Sequence, residues 1–118
     1  MKTTKIFLSA LILIFATIVG GCENSSDTGQ RTVAICFPNT TPSWQRNGDS
    51  LKKLLEEENF SVNIQFAGDI NQQKNQVAEV IESKPNCIVI GAIDSAAFAD
   101  VLAQAKEYQI PVIAFDRI

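Results

Sequence analysis

Asp116 and Arg117, in the stretch "VIAFDRI", set an acceptor-only carboxylate beside a planar fork of guanidinium donors. An adjacent pair of this kind can satisfy the vicinal hydroxyls of a neutral polyol, the carboxylate accepting while the guanidinium donates. The plainer alternative is an exposed ion pair at a strand end, which contributes little to stability. Trp44 is the chain's single tryptophan. Its flat face suits the C–H side of a cyclic polyol, and it fits equally well as a helix residue packed on a sheet. Asn39, Thr40 and Thr41 in "PNTTPSW" can donate to hydroxyls, but turn and capping roles account for them too. Asp94 and Ser95 are placed first of all to cap a helix. Histidine is absent, which removes the commonest general base and metal ligand together. With no CxxC, paired acidic cluster, GxGxxG or P-loop pattern, the chain is expected to be no enzyme and to use no cofactor or metal.

These residues fall between elements that alternate in type. "TVAICF" (32–37), "SVNIQF" (61–66), "CIVIGA" (87–92) and "PVIAF" (111–115) are short runs rich in Val, Ile and Phe. The first, third and fourth are almost continuously apolar, as strands buried on both faces must be, whereas the second alternates and reads as an edge strand. Three helical patterns lie between them. The first, "PSWQRNGDSLKKLLEEENF", predicts Trp44, Leu51, Leu54 and Leu55 on its inner face, with Thr41 and Pro42 as its start. The second, about 71–83, turns Val77, Val80 and Ile81 inward and stops before Pro85. The third, about 95–108, carries Phe98, Leu102 and Ala105 as its stripe. Alternating βαβ units imply an α/β fold, a doubly wound parallel sheet with right-handed crossovers, and the strand order expected is 2-1-3-4. Ligands of such sheets bind at the carboxyl ends of strands where the order reverses. "PNTTPSW", "IDS" and "DR" all emerge at that edge.

Residues 1–21 read as a signal peptide: Lys2 and Lys5 precede the apolar run "IFLSALILIFATIV", which is shorter than a membrane span needs. "VGGC" resembles the bacterial lipobox, and that likeness makes Cys22 the lipidated residue, with multiple acyl chains giving stable anchoring. Residues 22–31, mostly polar, form a flexible tether, and 32–118 a partial N-terminal binding domain. Without Lys2 and Lys5 the formal net charge moves from −3 to −5, which argues against nucleic acid as a partner. Cys36 and Cys87 sit at opposite ends of their apolar runs, so free buried thiols are expected.

The fourth strand has the composition of an interior strand, and the sheet reads as an incomplete N-terminal domain. From residue 32 onward the chain resembles the type I periplasmic sugar-binding proteins, solute receptors of ABC importers. The xylose and multiple-sugar-binding branch is the nearest, through "DINQQKNQVAEVI", "CIVIGAIDS" and "IPVIAFDR". The resemblance implies two α/β domains that close on a monosaccharide, a pentose or a hexose. It implies sugar contacts from Asp116, Arg117, Trp44 and Thr41, an ABC permease as partner, and attachment to the cell envelope through Cys22. Relatives in the xylose-like branch carry an Arg just before this Trp, where the chain has Ser43, so the sugar's identity does not carry over. A LacI-type repressor would begin with a helix-turn-helix instead. The remaining alternative is an exported sugar-sensing domain that reports to a chemoreceptor or sensor kinase.

Overall fold

The structure is a computed structural model that describes residues 29–115. The expected signal peptide, lipidated Cys22 and most of the tether lie outside the described residues, as do Asp116 and Arg117. In chain order the elements are β1 (Arg31–Pro38), α1 (Pro42–Glu57), β2 (Phe60–Ala67), α2 (Ile70–Glu82), β3 (Cys87–Ile90), a 3-10 turn (Ser95–Phe98), α3 (Ala99–Glu107) and β4 (Val112–Ala114). All pairings are parallel and the order is β2-β1-β3-β4, as the sequence leads one to expect.

β1 is the centre of the fold because both of its faces are apolar. Val33, Ile35 and Phe37 point to the α1 side, with Val89 of β3, Leu51 and Leu55 of α1 and the alternating Phe60, Val62, Ile64 and Phe66 of β2. Ala34 and Cys36 point the other way, into a core with Val77, Val80 and Ile81 of α2, Ile88 and Ile90 of β3, and Phe98, Val101 and Ala105. Period-two alternation along a strand covered on both sides produces these two half-cores. β2 is the edge its sequence implies, with Ser61 and Asn63 exposed.

Two helical stripes differ from expectation. Leu54 is 60% exposed, because α1 faces the sheet along Trp44, Gly48, Leu51 and Leu55, and Leu54 lies roughly a quarter-turn round the helix from that line. In the third helical segment Phe98 and Ala105 are buried as expected, but the residue between them that is buried is Val101, and Leu102 is 40% exposed. The segment opens as a 3-10 turn, and Leu102 lines a cavity on the flank of β4 with Phe98, Val112 and Ala114. Thr41 is the residue before α1, but its hydroxyl makes no capping bond. Asp69 does cap α2, accepting from Gln72 N at 2.8 Å. Helices α1, α2 and α3 are each followed by a left-handed residue, Asn59, Lys84 and Gln109. In the last case the N–H of Ile110 reaches back to Ala105 O at 2.9 Å and the N–H of Gln109 to Lys106 O at 3.0 Å, which satisfies carbonyls left open at the helix end.

Cys36 and Cys87 are separated more decisively than their sequence positions suggest. Cys87 is level with Val33, three residues from Cys36, and the two side chains lie on opposite faces of the sheet. Burial pushes the Cys36 thiol from an ordinary 9.0 up to about 12. The folded chain then keeps a proton that the unfolded chain gives up, so this contribution is fully present below about pH 9 and lost as pH rises toward 12, at up to about 1.4 kcal/mol per pH unit. Wild type should therefore lose about 2 kcal/mol relative to Cys36→Ala between about pH 8 and about pH 10.5. Urea unfolding of both at the two pH values checks this, and a gap independent of pH would contradict it.

Candidate functional site

The sequence order of the strands reverses between β1 and β3, so the loops leaving their carboxyl ends part there and open a crevice. A depression of about 250 Å³ occupies the place, lined by Pro38, Asn39, Trp44, Ala67, Gly68, Ala92 and Ile93. None of these side chains is charged, so the lining suits a neutral ligand that exchanges hydrogen bonds with amides and packs on apolar surface.

Each wall has a local cause. Asn39 takes a positive φ of 35°, which asparagine tolerates. Its N–H reaches Ala67 O at 2.7 Å and its Oδ1 accepts from Thr41 N at 3.0 Å, which ties the β1 exit to β2 and aims the chain into α1. Pro42 then opens α1 and puts Trp44 in its first turn, over the end of the sheet. The Trp44 ring rests on Phe37, with centroids 4.9 Å apart and planes tilted by 54°, and lies 6.1 Å from Phe115. Phe37 and Phe115 are themselves 5.1 Å apart. Three aromatic rings thus form a stepped platform whose top member borders the depression.

On the β3 side the chain comes unusually close to that platform. A methyl group at Gly91 would lie 2.8 Å from two ring carbons of Trp44 and 3.1 Å from Phe37. The Gly91 N–H bonds Cys36 O at 3.0 Å, and the Phe115 N–H bonds Ile90 O at 2.8 Å, so the ends of β1, β3 and β4 are stitched together beneath the ring. Asp94 caps the 3-10 turn, accepting from Ala96 N at 3.0 Å, the capping role its sequence position suggests.

Of the expected contact residues, Trp44 lines the depression. Thr41 does not: it is exposed on the rim, its hydroxyl 3.4 Å from that of Ser43. Asp116 and Arg117 follow Phe115, the last described residue. Among the described residues no group of three His, Cys, Asp or Glu side chains could hold a metal ion.

Gln73 and Gly91 are the site residues that the sequence reading missed. Gln73 was detectable, since it is polar yet stands one helical turn before Val77 on the apolar line that continues to Val80 and Ile81. For Gly91 the need for glycine appears only once Trp44 is in place.

Comparison with known proteins agrees with this geometry. A family model described as a periplasmic binding protein domain matches residues 33–118. The multiple sugar-binding periplasmic protein SbpA of Azospirillum brasilense is 30% identical over 118 residues, covering 98% of this chain and 32% of that protein. The multiple sugar-binding periplasmic receptor ChvE of Rhizobium radiobacter is 33% identical over 89 residues, 74% of this chain and 25% of the receptor. The chain therefore spans a third or less of the length of these curated relatives. Among solved structures, an ABC transporter solute-binding protein from Clostridium phytofermentans with bound β-D-glucose aligns with a TM-score of 0.72. It is 31% identical, over 75% of this chain and 28% of that one. These relatives are binding proteins and receptors, in line with the non-enzymatic reading. With well over half its residues matched, the chain belongs to the periplasmic binding protein domain family.

Proposed function

We propose that the chain forms part of one wall of the sugar cleft in the substrate-binding receptor of an ABC-type importer, and that its ligand is a monosaccharide. The observation that carries this reading is the Trp44 platform beside an uncharged depression at the strand-order reversal, in a family whose named relatives bind sugars. In this reading Trp44 stacks on the C–H face of the sugar, and Asp116 and Arg117 divide acceptor and donor duties at adjacent hydroxyls, with Thr41 at the rim. The position of Phe115, whose ring lies 6.1 Å from that of Trp44, supports the assignment of Asp116 and Arg117, which follow it in the sequence. A second domain closing over the sugar removes it from water on its other side. Lipidated Cys22, following a signal peptide at 1–21, holds the receptor on the envelope beside its permease, and the tether through residue 31 lets the domain from residue 32 reach it.

The test is calorimetric titration of the whole receptor containing this segment with D-glucose and D-xylose. Asp116→Ala and Arg117→Ala should each weaken binding by at least about tenfold, as expected for charge-assisted hydrogen bonds left unmade. Unchanged affinity in both variants would sink the site assignment.

A further inference from the structure

Gln73 is the one buried polar side chain among the described residues, with no exposed surface. A primary amide in an apolar half-core is costly unless its hydrogen-bonding groups are used. Here they are. Nε2 donates to Gly91 O at 2.9 Å and Cys36 O at 3.3 Å, and Oε1 accepts from Ile93 N at 2.9 Å. One side chain of α2 therefore holds β1 near its end and, at Gly91 and Ile93, the segment leaving β3.

Gly91 and Ile93 both matter at the depression. Gly91 is the surface against which the Trp44 ring lies, close enough that no side chain fits between them. Ile93 is part of the opposite lining. Gly91 and Ile93 lie after β3 in a stretch that has no strand or helix of its own; the Gly91 N–H is held by Cys36 O, whereas the Gly91 carbonyl and the Ile93 N–H are held by Gln73. The amide supplies donors where two carbonyls converge and an acceptor where an N–H would otherwise be left unpaired, and an apolar side chain of the same length supplies neither.

We propose that Gln73 is the positioning residue of the candidate sugar site: its amide fixes where Gly91 and Ile93 stand, and through Gly91 it fixes the seat of Trp44. Its relevance to sugar rests on the proposed function, whereas its action on Gly91, Ile93 and Trp44 does not. Gln73 touches no ligand in this account. A ligand that stacks on Trp44 feels Gln73 only through the angle of the ring and the width of the depression.

The full chain is compared as wild type, Gln73→Met, Gln73→Asn and Val77→Ala, the last being a buried residue of the same helix that does not line the depression. All are read in a sulfate buffer, which favours the folded state. Val77→Ala and Gln73→Met should both lower the unfolding midpoint. Only the Gln73 variants should move the emission of Trp44, the sole tryptophan, and speed amide exchange at Ile93 by at least about tenfold. Gln73→Asn keeps the amide on a shorter arm and should give the same two changes at a smaller loss of stability, so it decides the matter if Gln73→Met does not fold. Wild-type emission and wild-type Ile93 exchange in a folded Gln73 variant would overturn the proposal. In the whole receptor Gln73→Met should also weaken D-glucose binding at least about tenfold. If wild-type receptor binds no monosaccharide, the proposed function falls, while emission and exchange still decide the role of Gln73.

Discussion

Phe37→Ala should lower the unfolding free energy by about 3–5 kcal/mol, and in the protein that remains folded it should move Trp44 emission to longer wavelength. Phe37 has no exposed surface, and it carries Trp44 on one side and Phe115 on the other. Its ring also lies 3.7 Å from where a methyl group at Gly48 would stand, so it joins α1 to the ends of β1 and β4. Truncation removes contacts to three elements at once and leaves a cavity that they cannot collapse to fill without moving the platform. A domain of this size has a total stability of about 5–15 kcal/mol, so the variant should sit near its unfolding threshold at room temperature. Denaturant unfolding followed by far-UV circular dichroism gives the loss directly. Leu54→Ala, at a position 60% exposed, is the matched control and should change stability by less than about 1 kcal/mol. If Phe37→Ala costs no more than that control, Phe37 is not the support of the site.

The sheet order was legible because β1, β3 and β4 read as continuous apolar runs while β2 alternates, and each of the first three runs is followed by a helical pattern with a short connection. Right-handed crossovers then leave little freedom. Stripe assignment worked where the helix packs between full neighbours, as for Val77, Val80 and Ile81. It failed for Leu102, which lines an open cavity on the flank of β4 beside Val112 and Ala114 and is 40% exposed. Composition reports that a residue is apolar and says nothing about whether a neighbour covers it. At the site, Trp44 was legible from its place in the first turn after β1. Gly91 was not, because its need for glycine depends on a ring 47 positions earlier in the sequence, a separation that no local pattern encodes. Gln73 lies between these cases: the anomaly of a polar residue on an apolar stripe is local, but its three partners, on β1 and beyond β3, are not.

Gly91→Ala should be destabilising and should displace Trp44, whereas Gly48→Ala, also at a buried glycine, should stabilise. At Gly48, in the middle of α1, an added methyl would meet Ile64 and Phe66 at 3.5 Å and Phe37 at 3.7 Å, which is ordinary contact. The helix gains about 1 kcal/mol from replacing glycine by alanine, and the new methyl buries apolar surface as well. At Gly91 the same methyl falls 2.8 Å from two carbons of the Trp44 ring and 3.1 Å from Phe37. The indole is rigid and Phe37 is held from below, so the overlap can be relieved only by tilting Trp44 outward or by pulling Gly91 off its bonds to Cys36 O and Gln73. Either route costs about 1–3 kcal/mol, the usual range for overpacking. The first route also changes the site. Trp44 emission should shift in Gly91→Ala and not in Gly48→Ala, while the unfolding midpoints move in opposite directions. In the whole receptor Gly91→Ala should weaken D-glucose binding more than its loss of stability accounts for, since the stacking surface itself has moved, and Gly48→Ala should leave affinity unchanged. An alanine at position 91 that leaves both Trp44 emission and stability as in wild type would mean that the ring does not lie against this backbone in solution, and the platform as described would be wrong.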